Sequence, residues 1–175
     1  MTGGSSTESE LRVSAASEIE LSAGIIEEVA TWGAGAGMPS WSPGSFTGQD
    51  SVGVSRLRGD IASGGLYLIW RRDRPVGTFS LLESDPIYWP DGGDAAMYLH
   101  RFAVSRDAAG AGRFAVEWCL RETRRRGRSY VRLDCLADNA GIRRYYERFG
   151  FTAVEEVVIT GTRYSLYEVP VTPAS

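Results

Sequence analysis

The stretch FAVSRDAAGAGRFAVEWC, residues 102–119, joins an apolar strand to a helix through a loop of small residues. The loop runs from Gly110 to Gly112, and Ala111, Ala115 and Cys119 recur at helical spacing. Such a loop at a helix N-terminus leaves backbone N–H groups unpaired, next to the positive end of the helix dipole. The stretch therefore predicts a binding site for the phosphate group of a ligand.

Dinucleotides are one class of ligand that binds to such a turn. The loop GAGRFA matches the pattern G-x-G-x-x-A, and Asp134 lies at the end of the next predicted strand. In dinucleotide folds, however, the first glycine follows its strand almost at once, whereas Ser105–Ala109 intervene here. His100 and Arg101 also interrupt the strand, which is unusual for a parallel strand covered on both faces. A dinucleotide-binding domain that uses GAGRFA as its phosphate loop is kept as the alternative interpretation.

A second motif lies downstream in DNAGIRRYYERFGF, residues 138–151. It meets the pattern N-x-x-x-x-x-x-Y-x-x-x-G-F with Asn139, Tyr146, Gly150 and Phe151. Together with the strand that ends at Val104 and the loop Ala109–Phe114, this motif resembles the GNAT superfamily of acyl-CoA-dependent N-acetyltransferases. One departure is Phe114, which stands where the family has a small residue.

The resemblance implies transfer of an acetyl group from acetyl-CoA to a primary amine, by direct attack in a ternary complex. The acceptor amine would belong to a small molecule or to a peptide, as its N-terminus or a side chain. The strand end and the loop would hold the cofactor, through Phe102, Ala103, Val104, Ala109, Gly110, Ala111, Gly112, Arg113 and Phe114. Asn139 and Tyr146 would add contacts to the pantetheine arm and the sulfur.

Tyr146 is the candidate general acid that the resemblance implies. A phenol with a pKa of about 10 can donate a hydrogen bond or a proton to a departing thiolate. The alternative is a core tyrosine, because Tyr145 and Tyr146 lie in one apolar helical stripe. Helical phase does not separate the two tyrosines, and only the family spacing selects Tyr146.

The candidate general base is His100, the one histidine of the chain. Histidine changes its charge between about pH 5 and 8, which suits proton uptake from an amine. The competing interpretation is a hydrogen-bonded core residue. Glu83, or an ordered water relay, is the fallback, and Tyr98 occupies the position where some relatives have a glutamate.

The remaining elements follow the order of that family. The apolar patterns predict a strand, two helices, three antiparallel strands, a helix, a strand, a helix and two closing strands. This is a three-layer α/β (α+β) GNAT-like fold, with a mixed, mostly antiparallel sheet of about seven strands and helices on both faces. The His100–Arg101 pair predicts a bulge in the fourth strand. Aromatic residues of the loops and of that strand are the substrate candidates, namely Trp41, Trp89 and Tyr98.

Composition limits the other possibilities. A chain of 175 residues predicts one domain, residues 11–171, after a disordered leader at 1–10. The formal charge of -3 argues against nucleic acid as a partner, and no segment has the length of a membrane span. Cys119 and Cys135 fit no metal spacing, so we expect no metal and two buried free thiols, which suit the cytoplasm. Because members of the family are often dimers, the resemblance is compatible with a homodimer.

Overall fold

The computed structural model of the chain describes residues 10–37 and 41–172, without the side chain of Asp94. Seven strands and four α-helices lie within these residues. In chain order they are β1 (Leu11–Ala15), α1 (Glu20–Gly35), α2 (Val52–Ala62), β2 (Leu66–Arg71), β3 (Arg74–Leu82), β4 (Ala96–Val104), α3 (Ala111–Arg125), β5 (Tyr130–Leu136), α4 (Ala140–Glu147), β6 (Thr152–Ile159) and β7 (Thr162–Pro170). The predicted leader lies outside the described residues, except for Glu10, which pairs with Arg72. No helix in the described ranges is long and apolar enough to cross a bilayer.

The strands form one mixed sheet in the order β1-β2-β3-β4-β5-β7-β6. The pairs β1–β2, β2–β3, β5–β7 and β6–β7 are antiparallel. β4 and β5 are parallel, and their register joins Ala96–Tyr98 to Tyr130–Arg132. The predicted fold class, with seven strands and mostly antiparallel pairing, is confirmed.

Helix α1 departs from its predicted limits. The pattern from Glu18 to Trp32 predicts this helix, with Ser17 as a possible N-cap and a stop at Gly33. The helix instead begins at Glu20 after Ile19, which makes no side-chain capping bond. The predicted stop at Gly33 is also wrong, since the helix continues to Gly35 and buries Gly33. Burial of a helical face outweighs the low helix propensity of glycine at this position.

By internal contacts the chain divides into two compact units, each described here by itself. The first contains the described residues up to Ser80 together with Arg101–Trp118. Its core joins α1 and α2 to β2, through Ile25, Ile26, Phe46, Leu57, Leu66, Leu68 and Ala103. At α2, the Ser51 hydroxyl accepts a hydrogen bond from the Val54 N–H at 3.1 Å, so the helix start is capped.

The second unit contains Leu81–His100 and the described residues from Cys119 onward. Its core includes a cluster of Trp89, Ala96, Tyr98 and Leu166. Helix α4 adds Tyr146, whose ring contacts Phe151 with ring centroids 5.7 Å apart. The single domain predicted for residues 11–171 stays a prediction.

Gly77 of β3 tests how tightly the first unit packs. A Cβ at this position would lie 2.7 Å from Ile69 Cδ1 and 3.0 Å from the Ala103 carbonyl oxygen. We expect Gly77→Ala to lower the free energy of unfolding by about 1–3 kcal/mol through overpacking. Gly59→Ala, in α2 with no atom within 4 Å of its Cβ, should instead raise it by about 0.5–1 kcal/mol. Chemical denaturation measures both variants, and equal effects would contradict the packing argument.

Candidate active site

The predicted phosphate loop is a tight turn at the start of α3. Gly110 has φ +82, a conformation that favours glycine, and no atom lies within 4 Å of the position its Cβ would take. The Ala111 N–H bonds to the Ala108 carbonyl at 3.1 Å, and the Phe114 N–H to the Gly110 carbonyl at 3.0 Å. The open space beside Gly110 and the helix N-terminus behind it fit a pyrophosphate group.

The structure ties this loop to the β2–β3 hairpin by arginines that the sequence analysis missed. Arg71 Nη2 donates to the Ala109 carbonyl oxygen at 2.5 Å. Arg74 Nη2 donates to both carboxylate oxygens of Asp107, at 2.6 and 2.7 Å. Arg113, predicted to bind the cofactor, lies in an exposed ion pair with Glu117 at 2.9 Å. Arg71 thus brings a cationic side chain into contact with the loop backbone.

The strand end Phe102–Val104 continues β4 beyond its described pairing with β5, which ends at Tyr98. Ala103 is buried, and the ring of Phe102 meets Phe79 edge-on with centroids 6.4 Å apart. The Ser105 N–H then donates to the Val76 carbonyl at 2.9 Å. The backbone predicted to hold the pantetheine arm is therefore firmly seated within its own unit.

Tyr146 and Tyr145 differ in their surroundings, although they share a helical stripe. Tyr146 is 5% exposed, and burial raises its pKa well above the usual value. Its hydroxyl makes no hydrogen bond to another residue of the described chain. Tyr145 packs on Phe149 and lies under Arg148, and burial raises its pKa to about 12. Burial thus keeps the Tyr146 phenol protonated at neutral pH, and its role as the acid stays a prediction.

Asn139 is placed where the second motif predicts it, directly before α4. Its Oδ1 accepts a hydrogen bond from the Ile142 N–H at 3.1 Å, which makes it the N-cap of the helix. This capping role uses the carbonyl oxygen of the side chain. The amide nitrogen is left for the contact with the pantetheine arm, which stays a prediction.

His100 lies between two aspartates of its own unit. Nε2 is 3.0 Å from Asp85 Oδ2, and Nδ1 is 3.3 Å from Asp134 Oδ1. The side chains of His100, Asp85 and Asp134 are 12%, 6% and 13% exposed. We call these three residues the Asp-His-Asp cluster. Asp85 is itself fixed in a turn, where its Oδ1 accepts from the Tyr88 N–H at 3.2 Å.

The two ring nitrogens of the cluster face different carboxylates. A neutral imidazole has one N–H and can donate to only one of them, whereas the imidazolium donates to both. One ligand atom from each residue lies within 4.8 Å of the others, a spacing that a metal ion can also use. These nitrogen–oxygen distances place the imidazole and the two carboxylates where a proton can be exchanged.

The remaining predicted residues lie elsewhere. Glu83 is 63% exposed and pairs with Arg126 at 3.4 Å. Trp41 packs edge-on against Phe46, with ring centroids 6.0 Å apart, and lies partly buried against the core of the first unit. Trp89 and Tyr98 are buried, at 8% and 1% exposure, in the core cluster of the second unit. Their roles in substrate binding stay predictions that the burial does not favour.

Both cysteines are free and buried, as predicted. Burial raises the pKa of the Cys135 thiol to about 11 and that of Cys119 further. Neither thiol therefore offers a thiolate at neutral pH, and neither is suited to act as a nucleophile.

Comparison with known proteins agrees with these features. The model of the acetyltransferase (GNAT) family matches residues 37–151. The chain belongs to this family. It is accordingly an acetyl-CoA-dependent N-acetyltransferase, and the dinucleotide interpretation is wrong. The uncharacterized N-acetyltransferase YesJ of Bacillus subtilis is 29% identical over 157 residues, which cover 85% of this chain and 83% of YesJ.

Solved structures show the same fold at low sequence identity. A GNAT-family acetyltransferase of Listeria monocytogenes has a TM-score of 0.70 at 20% identity, covering 91% of this chain and 94% of its own. YncA of Salmonella typhimurium, solved with its cofactor acetyl-CoA, has a TM-score of 0.64 at 16% identity, covering 95% and 96%. The ribosomal-protein-S18-alanine N-acetyltransferase of Escherichia coli has a TM-score of 0.59 at 19% identity, covering 94% and 96%.

Gly110 and Gly127 provide a matched test of the phosphate loop. They flank the two ends of α3, with φ +82 and +69, and neither has an atom within 4 Å of its Cβ position. Valine is strained at both positions, but only Gly110 belongs to the loop. Gly110→Val should weaken acetyl-CoA binding about tenfold or more, which corresponds to ~1.4 kcal/mol. Isothermal titration measures the affinity.

Gly127→Val should lose comparable stability and keep the affinity of the parent. Unchanged affinity in a folded Gly110→Val protein would remove the loop from the cofactor site.

Proposed function

We propose that this enzyme transfers the acetyl group of acetyl-CoA to a primary amine of a small molecule or peptide, by direct attack in a ternary complex. The Asp-His-Asp cluster is the observation that carries the proposal, because it provides a proton acceptor for an ammonium group. When bound, acetyl-CoA supplies an activated thioester and a thiolate leaving group. The buried free thiols of the chain suit the cytoplasm, where we place the enzyme.

The state of the two cysteines supports direct attack. A covalent acetyl-enzyme would need an accessible nucleophile of low pKa. Cys119 and Cys135 are buried, and the pKa of each is raised. The acceptor amine then attacks the thioester itself in the proposed reaction, with both substrates bound together.

Cofactor binding draws on backbone groups of the first unit. The N–H groups at the start of α3, beside Gly110, take the pyrophosphate. Arg71 adds a positive charge where its guanidinium meets the Ala109 carbonyl. The N–H groups of Phe102–Val104 serve the pantetheine amides and the thioester oxygen, as donors fixed before the reaction.

Proton movement is assigned to His100 and Tyr146. We assign His100 as the acceptor of the proton from the amine, with Asp85 and Asp134 each beside one of its ring nitrogens. The two carboxylates also attract the acceptor in its ammonium form. Tyr146 then donates its unpartnered hydroxyl to the thiolate. Because burial raises the pKa of Tyr146, the phenol acts mainly as a hydrogen-bond donor.

Tyr146→Phe tests the assignment of the acid. The phenylalanine keeps the ring contacts with Tyr145 and Phe151 and removes only the hydroxyl. We expect turnover to fall by something like 10²- to 10⁴-fold, as for loss of a general acid, with little change in acetyl-CoA affinity. Tyr145→Phe is the matched control and should keep its turnover. CoA release with an amine acceptor measures both, and a shared loss of stability with equal activity would indicate core packing alone.

His100→Gln tests the proton acceptor through its pH dependence. Glutamine can still hydrogen-bond to an aspartate but takes up no proton at neutral pH. The variant should be about 10²-fold slower at neutral pH, and its kcat/KM should rise with pH as the free amine accumulates in solution. Asp138→Asn changes an exposed aspartate that pairs with Arg163, and it is the control for a substitution outside the cluster. Parallel pH profiles of the parent and His100→Gln would exclude His100 as the proton acceptor.

A further inference from the structure

The inference begins with an unusual backbone conformation inside a strand. Among the described residues, the positive-φ positions that are not glycine are Arg72, Arg101 and Thr160, with φ 55, 49 and 47. Arg72 and Thr160 lie in the tight turns of the β2–β3 and β6–β7 hairpins, where this conformation is expected. Arg101 lies within β4, at the predicted bulge. A side chain persists in this region only where its surroundings impose it.

The surroundings of Arg101 are a buried carboxylate and a buried hydroxyl. Arg101 Nε donates to Asp60 Oδ2 of α2 at 2.6 Å, and to Ser80 Oγ of β3 at 3.3 Å. Ser80 Oγ donates to the same Asp60 oxygen. The side chains of Arg101 and Asp60 are only 12% and 8% exposed. Breaking such a pair would leave an uncompensated charge away from water, which costs free energy. The contact can therefore hold the strained backbone in place.

The residues that follow Arg101 are held as well. Gly77 has no side chain, and this leaves room for the Ala103 carbonyl oxygen. A Cβ at position 77 would lie only 3.0 Å from that oxygen. The Ser105 N–H bonds to the Val76 carbonyl at 2.9 Å. The segment Phe102–Val104 is thus fixed at one end by the Arg101 contacts and at the other by β3. The directions of its N–H groups are set before any ligand arrives.

We infer that Arg101, Asp60 and Ser80 act as positioning residues for the N–H donors of Phe102–Val104. This inference rests on the proposed function, in which those donors serve the thioester. Asp60 and Ser80 hold Arg101 in the left-handed conformation. That conformation sets the direction of the N–H groups that follow it in the strand. A donor displaced by a fraction of an ångström loses most of its effect on the transition state.

Paired variants separate the backbone conformation from the ion pair. Arg101→Ala and Arg101→Gly both remove the contact with Asp60, but only glycine adopts φ +49 without strain. Any difference between the two therefore reports the conformation. We expect Arg101→Ala to lower kcat by about 10- to 100-fold, with a smaller change in KM for acetyl-CoA, and Arg101→Gly to recover part of the loss. The controls are Arg72→Ala and Arg72→Gly, which change the same residue type at φ 55 and should leave kcat unchanged.

A milder pair keeps the test valid if the Arg101 variants fail to fold. Ser80→Ala removes the bridging hydroxyl, whereas Thr78→Ala removes an equally buried hydroxyl of β3, which bonds to Ser22 and to the Tyr67 carbonyl. Ser80→Ala should lower kcat, and Thr78→Ala should lower only the unfolding temperature.

The possible outcomes are distinct. Parent-like kcat in the Arg101 and Ser80 variants, with an active parent, would overturn the positioning role and leave the proposed function intact. Equal kcat losses in Ser80→Ala and Thr78→Ala would also overturn it. A parent that neither binds acetyl-CoA nor releases CoA with any amine would overturn the proposed function, and the inference with it.

Discussion

Desolvation of two neighbouring ionisable residues constrains the rest of the structure. His100 and Arg101 both lie on β4 and are each about nine-tenths closed to water. A charged or polar side chain in such a position is costly unless an opposite charge or hydrogen bonds meet it. Each residue therefore has carboxylates of its own, Asp85 and Asp134 for His100, and Asp60 for Arg101. The strand can carry this pair only because α2, β5 and the segment after β3 supply those partners.

The fold was largely predictable from the sequence because its local signals agree. Strands β2 and β5 coincide with the runs LYLIWR and YVRLDCL, which are typical of strands. The charged residues Arg72 and Asp73 between β2 and β3 form the turn of a hairpin, as such a sequence indicates. Helix α1 is the exception. Gly33 is a strong stop signal in isolation, but burial within the first unit keeps it helical. Competition between propensity and burial is decided by contacts that a local pattern does not contain.

The features of the candidate site also differ in whether they depend on local or on distant contacts. The glycine loop and the Asn139–Tyr146 spacing are short-range patterns, so a sequence can display them. Asp60 and Arg71, in contrast, meet Arg101 and Ala109 only through the fold, from positions far away in the chain. The aromatic residues show that a sequence pattern can also suggest a site role that the fold does not favour. Trp89 was a substrate candidate by its place in a loop, yet its ring is buried in a core.

The Asp60–Arg101 contact also bears on how the sequence can vary over evolution. Each charge neutralises the other away from water, so a neutral residue at one position leaves a stranded charge at the other. Relatives that replace one of these residues are under pressure to replace the second, and the residue that takes the place of Arg101 must also accept a left-handed backbone. We therefore expect the two positions, one in α2 and one in β4, to be substituted together.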